Sequence, residues 1–244
     1  MSTAVFDAVA PTYDAEFTDT RLGRWLRARV WRHLTFAPGS HVLEIGCGTG
    51  EDAAWLGRRG VSVLATDVSP AMLTVAAQKT NGLPVAFARQ DAANLTVDGI
   101  FEGAFANFGV LNCVPDLACL AERLPLRTGG TFVAVVMGPF CLWETAWYAL
   151  HGDIQRATRR WRPATASIGG ADLPLWYPSP RHLTAAFKPR FALRHCEGLG
   201  TLLPPSYLSG LVDRWPTAFA WLARHDSRLG TRLADHYVAV FERR

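Results

Sequence analysis

The stretch from residue 41 to residue 67 constrains the fold more than any other part of the sequence. It opens with the apolar run His41–Ile45, which one acid interrupts. Glycine then occupies three alternate positions: Gly46, Gly48 and Gly50. A short apolar run of this kind predicts a buried strand, and the glycines allow a sharp turn in which a ligand can lie directly against the main chain. The stretch therefore predicts a strand that runs into a glycine-rich turn.

A helix and a second strand are predicted after the turn. Glu51 and Asp52 place acids in the first helical turn, where the helix dipole favours negative charge, and Gly60 is suited to end the helix. The second apolar run, residues 61–65, leads to Asp67. A strand, turn, helix and strand with an acid at the second strand's tip is the plan of a mononucleoside-binding half of a doubly wound fold.

The glycine spacing separates two kinds of protein that use this plan. A dinucleotide site needs the pattern G-x-G-x-x-G, with a helix N-terminus directed at a pyrophosphate. Here Glu51 occupies the position that must be small in that pattern, and its carboxylate would repel a phosphate. A nicotinamide-dependent oxidoreductase is therefore a disfavoured alternative.

The pattern E-I-G-C-G-T-G-E-D, followed by Asp67 and the run D-V-S-P-A-M-L, resembles the class I, Rossmann-like S-adenosylmethionine-dependent methyltransferases of the small-molecule type. The resemblance covers residues 6 to about 137 well and the last strand loosely. It implies an α/β fold with a seven-stranded mixed sheet of order 3-2-1-4-5-7-6, and S-adenosyl-L-methionine as the cofactor. The residue pattern further predicts helical insertions after strands 5 and 6, which the resemblance does not cover.

The 244 residues are expected to form one methyltransferase domain, residues 1–244. Within it, residues 1–36 are expected to form an N-terminal lid and helix. Residues 138–180, which are rich in Trp, Pro and Arg, and residues 199–232 interrupt the pattern of strands. We interpret these two segments as insertions that form a cap over the substrate.

Polar residues end the first four predicted strands, and ligands of open α/β sheets bind at those ends. By the resemblance, Asp67 accepts the ribose hydroxyls, Asp91 accepts the adenine amino group, and the neighbouring apolar side chains pack on the adenine. Either Arg27 or Arg29 is a candidate to neutralise the cofactor's carboxylate. The full predicted cofactor set is Tyr13, Glu44, Gly46, Cys47, Gly48, Gly50, Asp67, Val68, Met72, Asp91, Ala92, Asn107 and Phe108.

The acceptor side has a weaker signal. Methyl transfer from a sulfonium mainly requires that a nucleophile be held in line and that water be excluded. The catalytic residue is left unassigned, with His151, His182, Tyr177 and Tyr207 as candidate bases. Aromatic residues of the first insertion, Trp143, Trp147 and Tyr177, are the predicted substrate contacts.

Composition excludes several other classes of function. Apolar residues make up 49% of the chain and charged residues 19%, which is typical of a globular protein. The five cysteines show no C-x-x-C spacing, so no metal site is predicted, and the net charge of +4 is too dispersed for nucleic acid. Neither a membrane span nor a leader sequence is predicted, so the expected location is cytoplasmic. The expected assembly is a monomer or homodimer.

The function predicted from the sequence is methyl transfer from S-adenosylmethionine to a small acceptor that is apolar, aromatic or lipid-like. A tetrad N/D-P-P-Y/F, as found in enzymes that methylate amino groups of nucleic acids, is absent, since the corresponding residues are Asn107 to Val110. Two alternatives stay open: a non-catalytic protein that binds S-adenosylmethionine, and the nicotinamide-dependent oxidoreductase. The acceptor atom and the pathway are undetermined.

Overall fold

A twisted sheet of seven strands lies at the centre of the protein, in a computed structural model that describes residues 5–162, 164–226 and 230–244. The strands are β1 (His41–Ile45), β2 (Ser62–Asp67), β3 (Val85–Arg89), β4 (Phe101–Ala106), β5 (Leu126–Met137), β6 (Ala164–Ile168), β7 (Ala171–Leu175), β8 (Phe191–Leu199) and β9 (His236–Arg243).

The order of strands across the large sheet is β3-β2-β1-β4-β5-β9-β8. The first five strands in this order are parallel, and β9 runs antiparallel to both β5 and β8. The strands β6 and β7 pair only with each other. Because that hairpin is not part of the large sheet, the last two strands of the sheet are the sixth and seventh in chain order. The predicted order 3-2-1-4-5-7-6 is therefore confirmed.

Helices cover both faces of the sheet, and local sequence explains where several begin. They are α1 (Arg21–Val30), α2 (Glu51–Gly57), α3 (Pro70–Lys79), α4 (Leu117–Arg123), α5 (Leu142–Leu150), α6 (Ile154–Ala157), α7 (Pro180–Phe187), α8 (Ser209–Arg214) and α9 (Pro216–His225). Helix α3 starts with Ser69, whose side chain accepts a hydrogen bond from the Met72 amide, and with a proline in the first turn. Helix α7 repeats this arrangement with Ser179 and Pro180.

The two faces of the sheet carry separate hydrophobic cores. On one face Phe132, Phe187 and Phe241 stack with ring centroids 5.0–6.4 Å apart, and α4 and α7 cover them. On the other face Leu22 and Val30 of α1 pack against the sheet together with α2. Helical spacing of the apolar residues in α1 predicts this contact, because one stripe of a helix must be buried.

The first insertion differs from the prediction of helical insertions, because it contains a β-hairpin as well as α5 and α6. Strands β6 and β7 are joined by Gly169 and Gly170, both with positive φ angles, 57° and 82°. Two residues with positive φ match the twist of a two-residue hairpin, and Gly-Gly is a known signal for such a turn. The Trp- and Pro-rich surroundings obscured that signal in the sequence.

Among the described residues, no helix combines the length and the apolar character that crossing a bilayer would require.

The core prediction can be tested with a pair of truncations. Phe132 is fully buried, so we expect Phe132→Ala to lower the free energy of unfolding by about 3–5 kcal/mol, through lost transfer energy and the cavity left behind. Ile100 is 71% exposed, and Ile100→Ala is expected to change stability by only about 0.5 kcal/mol. Urea unfolding followed by circular dichroism measures both values. Equal losses in the two variants would contradict the described core.

Candidate functional site

A cavity of about 470 Å³ opens at the carboxyl ends of β1, β2, β3 and β4. This is the edge of the sheet where ligands of open α/β proteins bind. Most of the predicted cofactor residues line it: Tyr13, Gly46, Gly48, Asp67, Val68, Met72, Asp91, Ala92, Asn107 and Phe108. Glu44, Cys47 and Gly50 do not line it, although they belong to the same turn or the strand before it.

The three glycines of the turn after β1 all have positive φ angles, between 53° and 76°. Gly46 and Gly50 are also closely packed: an added Cβ would come within 2.3 Å of the Val110 side chain and 2.7 Å of the Ala76 side chain, respectively. A Cβ at Gly48 would meet no atom within 4 Å, so its left-handed backbone is the main constraint there. The glycines therefore shape the turn and let the main chain form the cavity wall.

Asp67 connects the glycine turn to the start of α3. Its two carboxylate oxygens accept the amides of Gly48 and Ser69, each at 2.9 Å. Burial raises the pKa of Asp67, and these amide hydrogen bonds only partly oppose that shift. Each oxygen keeps further acceptor capacity toward the cavity, so this carboxylate can accept two hydroxyl donors from a ligand.

Asp91 lies at the next strand end and also lines the cavity. One of its oxygens accepts the amide of Ala93 at 2.9 Å and thereby begins a short 3₁₀ turn. The cavity wall continues through Ala92 in that turn. Asp67 and Asp91 are thus both held by amides of the residues that follow them.

A buried ion pair supports the glycine turn from behind. Arg27 Nη1 lies 2.5 Å from Asp52 Oδ2. The same carboxylate accepts Asn107 Nδ2 at 2.8 Å and Trp31 Nε1 at 2.6 Å. Since Asp52 is in the first turn of α2, it joins α1, α2 and the end of β4. From the sequence, Asp52 is recognisable only as an acid of a first helical turn, because the partners that define this role are distant in the chain.

Several buried polar atoms beside this pair have no protein partner among the described residues: Glu44 Oε2, Arg27 Nε and Asn107 Oδ1. Burial, with the nearby Asp52 as a second cause, raises the pKa of Glu44 well above its ordinary value. Orphaned buried groups are costly and usually have a partner such as a ligand or water. Of these three residues, Asn107 is the one that lines the cavity, so its Oδ1 is the atom suited to a polar ligand group.

The two arginine candidates have separate environments. Arg27 lies with its guanidinium 5.0 Å from the Phe108 ring, beside the cavity. Arg29 instead pairs with Asp226 and Glu197 at the far edge of the sheet. Arg27 is therefore the nearer of the two to the cavity wall, through Phe108, although neither arginine lines the cavity.

Phe108 has a strained backbone at the wall of the cavity. It is the one non-glycine with positive φ, 49°, within the described ranges. Its ring meets Phe17 edge-on at 5.4 Å and His236 at 5.9 Å. Strained backbone of this type is concentrated at functional sites, where surrounding packing maintains it.

The N-terminal segment is held over the cavity by two carboxylates. Asp7 Oδ1 accepts hydrogen bonds from the Ser69 hydroxyl and from the Ala71 amide, the latter at 3.1 Å. Asp14 bonds to Thr49 at 2.6 Å and pairs with Lys79 at 2.7 Å. Tyr13 lines the cavity between these two attachments, and burial raises the pKa of its hydroxyl, which is therefore neutral at pH 7.

The other end of the cavity is apolar and is formed largely by the hairpin β6–β7. Ile168, Leu173, Leu175 and Trp176 line it, together with Val110, Cys113, Pro115 and Met137. The tip of the hairpin reaches the N-terminal segment, since a Cβ on Gly169 would lie 2.8 Å from Ala8 Cβ and 3.0 Å from the Val5 carbonyl. The hairpin and the N-terminal segment therefore meet across the cavity.

The predicted substrate contacts Trp143, Trp147 and Tyr177 do not line this cavity. Trp143 packs against Phe219 with ring centroids 6.0 Å apart, and Trp147 packs against His151 at 4.5 Å. The aromatic residue of the insertion that reaches the cavity is Trp176, directly after β7. An unrecognised hairpin explains the difference, because it changes which residues of the insertion face inward.

None of the four candidate bases lines the cavity. His151 bonds to the Trp147 carbonyl, and His182 is exposed on α7. Tyr207 donates to Glu144 at 3.0 Å, and burial together with that carboxylate raises the pKa of the tyrosine. Burial likewise raises the pKa of Tyr177, whose ring lies 5.4 Å from the Arg160 guanidinium.

Those two tyrosines border a buried ionic network that fastens the first insertion to the sheet. Glu144 of α5 pairs with both Arg159 and Arg160, and Arg160 also pairs with Asp235 at 2.6 Å. Burial would raise the pKa of Asp235, but His236 and Arg160 outweigh it and hold that pKa below its usual range. The network is structural, since it positions the insertion that carries the hairpin.

Comparison with known proteins agrees with this geometry. The profile of a family described as "Methyltransferase domain" matches residues 42–130, which include the glycine turn and the first four strand ends. A demethylmenaquinone methyltransferase from Beutenbergia cavernae is 37% identical over 136 residues, or 53% of this chain and 55% of that protein. The chain thus spans about half the length of this relative.

Solved structures share the fold across most of the chain. An S-adenosylmethionine-dependent methyltransferase from Mesorhizobium loti has a TM-score of 0.61 at 20% identity, covering 90% of this chain and 98% of that one. A [4+2]-cyclase, SpnF, has a TM-score of 0.63 at 18% identity, covering 98% of this chain and 93% of that one. At these identities the similarity establishes the fold alone. The match to the methyltransferase-domain profile covers residues 42–130, and the described chain as a whole has the Rossmann-like fold found in S-adenosylmethionine-dependent methyltransferases.

Proposed function

We propose that this protein transfers a methyl group from S-adenosylmethionine to a small apolar or lipid-like acceptor. The observation that carries the proposal is one cavity with two chemically different ends. One end is lined by Asp67, Asp91, Asn107 and glycine backbone, and the other by apolar side chains, a tryptophan and the Cys113 thiol. A polar cofactor and an apolar acceptor can therefore meet in the same enclosed space.

The polar end suits the adenosine of the cofactor. Asp67 has the acceptor capacity for the two ribose hydroxyls, and Val68 and Met72 offer apolar surface for the adenine. Asp91 is suited to the adenine amino group, with the Ala92 amide close to a ring nitrogen. Glu51, in the first turn of α2, makes the same turn unfavourable for a pyrophosphate, which disfavours the nicotinamide-dependent alternative.

The methionine end of the cofactor matches an orphaned atom at the cavity wall. Asn107 lines the cavity and has an unpartnered Oδ1 that is suited to the ammonium group, and the positive charge of Arg27 behind the wall favours the carboxylate. The bound cofactor supplies an electrophilic methyl group, so the protein must align the acceptor and exclude water. Alignment of this kind contributes about 7–11 kcal/mol to catalysis. The N-terminal segment and the hairpin cover the cavity and are suited to exclude water.

The apolar end limits the kind of acceptor. Its one titratable group among the described lining residues is Cys113, and burial raises the pKa of that thiol to about 11, so it is neutral at pH 7. We infer that the acceptor supplies its own activated nucleophile, such as an electron-rich aromatic carbon or an enolate. The name of the Beutenbergia cavernae relative supports a lipid-like acceptor of the quinone type.

A second candidate is binding of the cofactor without methyl transfer. The similarity to SpnF supports it, because a protein with this fold is a [4+2]-cyclase. Incubation with S-adenosylmethionine and a panel of demethylated quinones, phenols, amines and RNA separates the candidates. Methyl transfer to an apolar member, seen by mass spectrometry and release of S-adenosylhomocysteine, supports the proposal. Cofactor binding with no methylated product from any member supports the second candidate.

The ribose assignment is tested by Asp67→Asn. An amide can accept fewer hydrogen bonds and carries no charge, so we expect S-adenosylhomocysteine to bind about 10- to 100-fold more weakly, based on about 1.5–3 kcal/mol for a hydrogen bond to a charged group. Asp98→Asn is the matched control at an exposed loop position, with unchanged affinity expected. Isothermal titration calorimetry measures both, and circular dichroism checks the fold. Normal affinity in Asp67→Asn refutes the assignment.

The acceptor wall is tested by Trp176→Ala. Loss of this side chain removes apolar surface from the hairpin end, so we expect KM for the acceptor to rise about tenfold, at roughly 25 cal/mol per Å² of lost contact. Affinity for S-adenosylhomocysteine should stay within about twofold. Trp161→Ala, at an exposed tryptophan of the same insertion, should alter neither value. Equal KM effects in both variants would place the acceptor elsewhere.

A further inference from the structure

Two histidines and a glutamate meet at the edge of the sheet, away from the cavity. His33 ends the 3₁₀ turn that directly follows α1, and His195 and Glu197 lie on β8. The possible ligand atoms of the three side chains all lie within 4.8 Å of one another. No metal site is predicted from the cysteine spacing, and this group has no sequence signal because more than a hundred and fifty residues separate His33 from the other two.

A β-bulge determines which face of β8 these side chains occupy. Phe191 and Leu199 are eight positions apart, so in a regular strand both side chains would lie on the same face of the sheet. Instead, Phe191 belongs to the core on one face and Leu199 to the core on the other. The pairing of β8 with β9 shifts between Leu193 and His195, which inserts the extra residue. Without the bulge, His195 and Glu197 would be on the face opposite α1. Bulges that redirect a side chain are characteristic of functional positions.

The distances within the group fit a tetrahedral metal ion. His33 Nε2 lies 3.2 Å from Glu197 Oε1, and His195 Nε2 lies 3.5 Å from Glu197 Oε2. Two ligand atoms on tetrahedral zinc, with bonds of about 2.0–2.1 Å, are about 3.3 Å apart, and two imidazole rings on it have centres about 5 Å apart. The ring centroids of His33 and His195 are 5.2 Å apart. The two distances from Glu197 involve different carboxylate oxygens, so a rotation of that carboxylate would bring one oxygen against both imidazoles and an ion.

The surrounding charges leave the glutamate able to act as a ligand. Arg29 bonds to Glu197 at 3.1 Å and orients its carboxylate, but it also pairs with the fully buried Asp226, which balances its charge. Arg29 is shared between two carboxylates and does not neutralise both, so one negative charge is available to a cation together with the two imidazole rings.

We propose that His33, His195 and Glu197 bind a divalent first-row transition metal ion of the zinc type. Three protein ligands leave a fourth position for water, and His195, with 48% of its side chain exposed, gives access from solvent. Imidazole and carboxylate together favour Zn²⁺ over Mg²⁺ or Ca²⁺, which prefer oxygen ligands. Bound metal would fasten the end of α1 to the edge strand. His195 pairs with β9 four residues from the cavity end of that strand, or about 13 Å away.

Titration of ZnCl₂ into the EDTA-dialysed full chain tests the proposal. We expect one Zn²⁺ per chain, a higher Tm with Zn²⁺, and no response to MgCl₂ at the same concentration, because binding to the folded state stabilises it. In His195→Ala we expect the affinity for Zn²⁺ to fall at least about tenfold through loss of a ligand. This residue is exposed enough for the variant to fold, which circular dichroism checks.

Cys196→Ser is the matched control. Cys196 is adjacent in sequence and is a good zinc ligand, but it packs on the opposite face of the sheet, so unchanged affinity is expected. Substitution of Co²⁺ gives a second readout: intense visible absorption of a tetrahedral ion, lost in both His33→Ala and His195→Ala. The proposal is overturned if no Zn²⁺ binds at micromolar concentration. It is also overturned if binding survives both histidine substitutions, or if Cys196→Ser abolishes it.

Discussion

The hydrogen bond from the Gly48 amide to Asp67 is the interaction on which the candidate site depends. It joins a left-handed turn after β1 to the acid that ends β2, and the same acid accepts the first amide before α3. One carboxylate therefore fixes the relative positions of a turn, a strand end and a helix start. The cavity wall is rigid because backbone groups form it and because Gly46 and Gly50 pack too closely for any side chain.

A buried ion pair also stabilises the glycine turn. Arg27 and Asp52 form a pair under the turn, and Asn107 joins them to β4. Removal of one partner from such a pair leaves an uncompensated charge, which costs more than the pair contributes. Arg29, two residues further along α1, belongs to a different network with Asp226 and Glu197. Helix α1 thus contacts the glycine turn through Arg27 and the edge of the sheet through Arg29.

Sequence alone predicts the parts of this structure that depend on local patterns. The strand, glycine turn and strand-end acids are recognisable because each is specified by neighbouring residues, and the sheet order follows from the family resemblance. The hairpin at Gly169 and Gly170 was missed, although its turn signal is local, because the surrounding composition indicated helix and loop. Asp52, Asp7 and Asp14 could not be recognised as supports of the site, since their partners are brought close only by folding. Trp176 follows β7 of that hairpin, so its place in the cavity wall could not be predicted without the hairpin.

The contact between the hairpin tip at Gly169 and the N-terminal segment at Ala8 and Val5 links two covers that come from distant parts of the chain. One lies over the polar end of the cavity and the other forms its apolar end. Separation of the two covers would require this contact to break first. A side chain at position 169 would have to displace Ala8 or the Val5 carbonyl, so a change at the hairpin tip is also a change in the N-terminal cover.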